Sequence, residues 1–179
     1  TLNRPGKLNA LTRQARRELL DLVLKMREDL DTRFVIFTGA GRAFSAGVDV
    51  QEMRKMMQET EHAPVRGRLD QFTSQDLMRA LENMEQVTIA AVNGLALGAG
   101  MGLCMACDFR IMSEKAYFAI PEAKVGIFFS WGCTPRLTRL VGPAWTKDLI
   151  MTGRNVDAQE SLRIGLAHRV VSHEKVMEE

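Results

Sequence analysis

Val87-Thr88-Ile89-Ala90-Ala91-Val92-Asn93-Gly94-Leu95-Ala96-Leu97-Gly98-Ala99-Gly100-Met101-Gly102 leads from an apolar run through Asn-Gly into a glycine cluster. The first six residues predict a strand buried on both faces, because all but Thr88 are apolar, four are β-branched, and there is no polar alternation. A glycine-rich turn follows, and residues from about Gly100 to Ala106 predict a short apolar helix. Upstream, Leu11, Ala15, Leu19, Leu22, Val23, Met26 and Leu30 have helical spacing, with Thr12 as the N-cap. Phe34-Val35-Ile36-Phe37-Thr38 reads as a short buried strand ended by Gly39-Ala40-Gly41. Residues 50–61 read as a loosely packed, Met-rich helix, and Leu69, Phe72, Leu77, Leu81 and Met84 mark a second long amphipathic helix. Downstream, strands are expected near 108–113 and 116–120. Two or three helices then fill 132–167, with a break at Gly142-Pro143. Strands alternate with helices, and two strands often precede each helix. The fold class is α/β.

The chain's 179 residues and 20.1 kDa correspond to one domain. A chain of this length buries roughly 70% of its unfolded surface, enough for an ordinary core. With 24 Lys and Arg against 22 Asp and Glu, the balance is too even for nucleic acid or an anionic membrane surface to be the partner. No run approaches the ~20 apolar residues of a membrane helix. Cys104, Cys107 and Cys133 leave one thiol unpaired in any disulfide scheme, which points to a reducing compartment, the cytoplasm or the mitochondrial matrix of a eukaryote. Thr1 reads as the end of a strand, so the chain is expected to be part of a longer polypeptide.

Three stretches can carry chemistry. In the first, Gly39 to Asp49, small residues at Ser45, Ala46 and Gly47 let the backbone approach a ligand and aim an N–H at it. Ser45 and Ser130 lack the glycines of a nucleophile elbow, and no Gly-Lys-Ser or Gly-Lys-Thr phosphate loop occurs. Taken alone, this segment reads first as a structural turn. In the second, Gly98, Gly100 and Gly102 miss the dinucleotide fingerprint because Leu occupies position 103. The free N–H groups of Ala99 and Gly100 favour negative charge at a helix start, and close helix packing explains the glycines equally well. In the third, Tyr117 to Gly132, Glu122 stands in a densely apolar setting. Desolvation there raises a carboxyl pKa toward that of a general base, although a surface pair with Lys124 is the ordinary fate of such a residue. Cys104 and Cys107 have CxxC spacing inside an apolar helix and read as buried thiols rather than a metal site. His62, His168 and His173 stand apart, and Arg13, Arg16 and Arg17 read as a solvated helix face.

Together these stretches resemble the crotonase family, also called the enoyl-CoA hydratase/isomerase superfamily. The resemblance covers Thr1 to Leu11, Phe44-Ser45-Ala46-Gly47-Val48-Asp49, Ile89 through Asp108, Phe118 to Gly126, Pro135-Arg136-Leu137, Gly153-Arg154 and Ala158 through Leu166, in family order. It implies a crotonase-like spiral of ββα units over residues 1–179. It also implies an acyl-CoA thioester substrate, with coenzyme A as part of the substrate and no separate cofactor or metal. By position, the Ala46 and Ala99 amides would hold the thioester oxygen, with Gly47, Val48, Asp49 and Gly98 lining the site. Lys7 and Arg4 would meet the CoA phosphates. The full-length protein would be a homotrimer or homohexamer, and the C-terminal helical segment used for trimerisation falls outside this chain.

The departures are informative. The family's three glycines appear here as Gly98-Ala99-Gly100, and of the two glutamates of its hydratases only Glu122 remains, the other falling on Gly102. The further acid of the dienoyl isomerases falls on Ser130. One glutamate is the pattern of the family's Δ3,Δ2-enoyl-CoA isomerases, where a single carboxylate shuttles a proton. The alternatives are a hydratase with its second acid elsewhere, a thioester hydrolase or decarboxylase, and a non-catalytic acyl-CoA-binding protein. Binding alone has no use for a desolvated carboxylate.

Overall fold

The computed structural model describes residues 1–58 and 62–178. Its strands are β1 Phe34–Phe37, β2 Ala43–Ser45, β3 Val87–Val92, β4 Leu95–Leu97, β5 Phe109–Ser113, β6 Tyr117–Ala119, β7 Val156–Asp157 and β8 Arg169–Val171. Its helices are α1 Arg13–Met26, α2 Val50–Gln58, α3 Ala63–Glu82, α4 Ala99–Ala106, α5 Cys133–Thr152 and α6 Ala158–Arg163. The first three repeats each lay down a pair of strands, β1-β2, β3-β4 and β5-β6, before a helix, whereas α6 separates β7 from β8, which end the second and first sheets respectively. The first strand of each pair joins a parallel sheet of order β1-β3-β5-β8, and the second joins another of order β2-β4-β6-β7. Only β7 runs antiparallel, against β6. Stacking successive ββα units in this way produces the spiral expected from the sequence.

Side-chain amides fix the corners between the two sheets. Asn93 Nδ2 donates to the carbonyls of Gly39 and Gly41, both at 2.8 Å, so the end of β3 holds the connection from β1 to β2. Asn9 Nδ2 does the same for Ala43 O at 2.8 Å. Gly39 and Ala43 are buried, so these amides supply partners to carbonyls of an interior corner.

The core lies between the sheets, with α4 inside it and every residue of that helix buried. Phe44, Leu77, Met78, Met101, Phe118 and Leu137 pack around it. Such a helix, apolar all round, can only be central.

Several expectations need correction. Thr12 does cap α1, accepting from Ala15 N at 3.1 Å, but the helix ends at Met26 and leaves Leu30 exposed. β1 is an edge strand rather than a buried one, with Phe34 58% and Ile36 46% exposed. β3 is buried except at Val87 and Ile89, which are half-buried. Leu69 and Phe72 of α3 are also exposed, and its buried side comes from Leu77, Met78 and Leu81. The Met-rich helix covers 50–58, and residues 59–61 of that expectation lie outside the described residues. The expected break at Gly142-Pro143 is present, since Gly142, at φ 79° and ψ 167°, interrupts α5 with a non-helical residue.

Arg16 is not solvated. It is buried between α1 and α3, donates to Ser74 Oγ at 2.8 Å and lies 5.3 Å from the Trp131 ring centre. Arg13 pairs with Asp70, and only Arg17 of the three faces solvent freely. Among the described residues no helix is long and apolar enough to cross a membrane.

Candidate active site

The N-terminal end of α4 meets the end of β2 and the short 3₁₀ turn Pro121–Val125. Gly100 packs so closely on β2 that an added Cβ would lie 2.5 Å from Ser45 O. Gly47, at φ 84°, brings the next loop against the helix. A Cβ there would sit 2.6 Å from Leu97 O and 3.3 Å from Ala99 N. Small residues are required here because backbone approaches backbone.

Ala99 is the first residue of α4, so its N–H has no intrahelical partner, and among the described residues it donates to no other group. The Ala46 amide, expected to be its counterpart, is already engaged. It donates to Leu8 O at 2.8 Å, which ties the end of β2 to the N-terminal segment. Two positions on, Val48 N–H donates no hydrogen bond among the described residues. Its neighbours Gly47 O and Asp49 N engage Leu11 at 2.7 and 3.1 Å, so the Val48 N–H between them points away from Leu11. The free donor in this loop is therefore Val48, not Ala46.

Glu122 sits against the start of α4. A Cβ on Gly98 would overlap Glu122 Oε1 and lie 3.1 Å from its Cδ. Gly98, at φ 48°, is the one residue type that leaves this space, and its own N–H is held by Ala119 O at 3.0 Å. Glu122 Oε2 is shut from the surface and has no hydrogen-bond partner among the described residues. Burial pushes the carboxyl pKa up, opposed by the residue's own backbone N–H. A desolvated carboxylate beside two unused amide donors can move a proton next to a carbonyl whose oxygen those amides hold.

The remaining residues singled out in the sequence make contacts of their own. Asp49 is buried and accepts from Gln51 N and Glu52 N at the start of α2, and also from Arg4. Burial pushes its carboxyl up, but those amides and the Arg4 guanidinium outweigh it and hold it below the usual range. Arg4 is bonded to Asp49 and to Ala10 O at 2.7 Å. Lys7 is exposed and reaches Gln51 Oε1 at 3.3 Å. Cys104, Cys107 and Cys133 are all free and buried, and burial pushes the Cys107 and Cys133 thiols up to about 12.

The whole chain, residues 1–179, matches the profile described as enoyl-CoA hydratase/isomerase. The chain belongs to the enoyl-CoA hydratase/isomerase family. It is 42% identical to the short-chain-enoyl-CoA hydratase of Clostridium acetobutylicum over 178 residues, covering 99% of this chain and 66% of that protein. It is 39% identical to the crotonyl-CoA hydratase of Syntrophomonas wolfei, with 99% and 66% covered. The crystal structure of an enoyl-CoA hydratase from Bacillus anthracis superposes at a TM-score of 0.89 and 38% identity, covering 98% of this chain and 66% of that one. The chain thus spans just under two thirds of the length of these relatives.

The sequence reading placed Glu122, Gly47, Gly98 and Ala99 at what proves to be one locus. It missed Val48 as the free donor. It also missed Cys133 and Met78, which stand over Gly102. Their signal lay in packing alone, since no spacing links positions 78, 102 and 133.

Proposed function

We propose that residues 1–179 form the catalytic core of an acyl-CoA enzyme that shifts a double bond by single-carboxylate proton transfer. The observation that carries this reading is the buried, unpartnered Oε2 of Glu122, packed where Val48 and Ala99 leave their N–H groups unused. In a 3-enoyl-CoA, Glu122 removes a proton from C2 and the electron pair moves onto the thioester oxygen. The two amides stabilise that dienolate, each worth about 2.7–4 kcal/mol in comparable sites. The protonated Glu122 then returns the proton to C4, and the double bond comes to rest between C2 and C3. One proton leaves and one returns, so the shift needs no redox group or metal, and coenzyme A enters as part of the substrate.

Position 102 is glycine, which supplies no second acid for activating water. The names of the Clostridium and Syntrophomonas relatives favour a second reading, hydration of a 2-enoyl-CoA. The two rates, measured for the full-length protein on one matched chain length, separate them. Isomerisation faster than hydration is expected, and the reverse order overturns the single-glutamate reading. The exposed edge residues Phe34 and Ile36 support a homotrimeric or homohexameric assembly, to be tested by sedimentation of the full-length protein.

A further inference from the structure

We infer that Gly102 and Cys133 are a size-exchanged pair that selects the reaction. The Cys133 thiol, with the Met78 methyl beside it, fills the volume through which an acid on α4 would reach the site. This inference rests on Glu122 being the proton carrier, and it names what prevents a second one.

Gly102 N donates to Gly98 O at 2.9 Å, so the two glycines stand one turn apart along α4. Glu122 covers the Gly98 turn and Cys133 covers the Gly102 turn. A Cβ added at Gly102 would lie 2.6 Å from Cys133 Sγ and 3.2 Å from Met78 Cε. The first distance lies inside any real carbon–sulfur contact, so even alanine must displace the thiol. Cys133 is 1% exposed and Met78 is fully buried, so both belong to an interior whose close packing resists displacement.

The thiol is also held from behind. Trp131 and Gly132 take consecutive left-handed conformations, at φ 59° and 71°, immediately before Cys133. The Arg136 guanidinium donates to Trp131 O at 3.2 Å and to Gly132 O at 2.9 Å. The same guanidinium pairs with Glu82. Glu82 lies one turn beyond Met78 on α3, so one face of that helix both pins the start of α5 and presses on Gly102. Glu122 and Glu82 help burial to keep the thiol protonated, with Arg136 opposing. The wall facing Gly102 is therefore uncharged and offers no acid or base at neutral pH.

The test is a double-mutant cycle on the full-length protein with Gly102→Glu, Cys133→Ala and both together. It is read as melting temperature and as the ratio of hydration to isomerisation on one chain length. Gly102→Glu alone should melt several degrees lower, and Cys133→Ala alone, adding no acid, should leave the ratio near that of wild type. The double variant should recover much of the lost stability and raise the ratio ~10²-fold over either single change, the lower end of what a positioned acid contributes.

Additive melting shifts overturn the inference, as does an equal rise in the ratio from Gly102→Glu alone. If Gly102→Glu does not fold, Gly102→Ala and its rescue by Cys133→Ala give the same coupling. A stability coupling that persists while Glu122→Gln retains full activity would leave the packing intact and remove the proton carrier, so the two failures are distinguishable.

Discussion

Glu122 is held against two opposed demands, since the burial that makes it a useful base also penalises its charged form. Its pKa is raised above the ordinary 4.5. The native state therefore binds its proton more tightly than the unfolded state does, and ionisation costs stability at all pH values above the folded pKa. Glu122→Gln should melt higher than wild type near pH 7.5, with the difference shrinking as pH falls toward 4.5. A wild-type protein at least as stable at pH 7.5 would mean that the carboxylate has a partner. The same change should lower turnover ~10²–10⁴-fold with little effect on acyl-CoA affinity. Glu122 was legible in the sequence because a lone carboxylate among apolar residues is a local fact. The identity of the second amide donor was not. Ala46 and Val48 look alike as text, and what separates them is a hydrogen bond to the carbonyl of Leu8, set by the path of a distant segment.

At the scale of the element, α4 is closed at one end and open at the other. Buried Arg110 donates to Cys107 O and Leu166 O, both at 2.8 Å, which satisfies carbonyls at the helix C-terminal end and ties it to the approach to β8. The N-terminal end keeps Ala99 N–H free, and proline is tolerated at a first helical position because its missing N–H bonds nothing there. Ala99→Pro should therefore fold, with circular dichroism close to wild type, while kcat/KM falls ~10²–10³-fold through loss of one oxyanion donor. Unchanged activity would remove Ala99 from the site.

The same helix shows what periodicity can and cannot reveal. The unbroken run of small and apolar residues from about Gly100 to Ala106 declared a short apolar helix from the sequence. β2, β4, β7 and β8 have only two or three residues each, too few to establish a period of two, and β2 and β4 were read as turns. Their pairing partners lie in other repeats, so the second sheet became visible only once the spiral was assembled.

Across the whole molecule, the last strand closes the first sheet, and His168 is the fastening. Its Nδ1 accepts from Arg110 N at 3.2 Å, its backbone N–H donates to Arg110 O at 2.9 Å, and its ring meets Phe109 edge-on with centres 5.2 Å apart. Protonation removes that acceptor and places a cation beside the Arg110 guanidinium. Burial, and then Arg110, hold the imidazole pKa below its ordinary 6.5. The unfolded chain therefore binds this proton first as pH falls. The contribution of His168 is fully present above about pH 6.5 and is lost as pH drops through the lower, folded pKa. Glu122 acts in the opposite sense, its burden easing as pH falls. Melting curves of wild type, His168→Asn and Glu122→Gln from pH 7.5 to 5 separate the two groups. Asparagine can still accept from Arg110 N but does not titrate, so His168→Asn should lose less stability on acidification than wild type. Glu122→Gln should lose more, because it lacks the compensating relief. If His168→Asn follows the wild-type curve throughout, the acid sensitivity of the spiral lies in other groups.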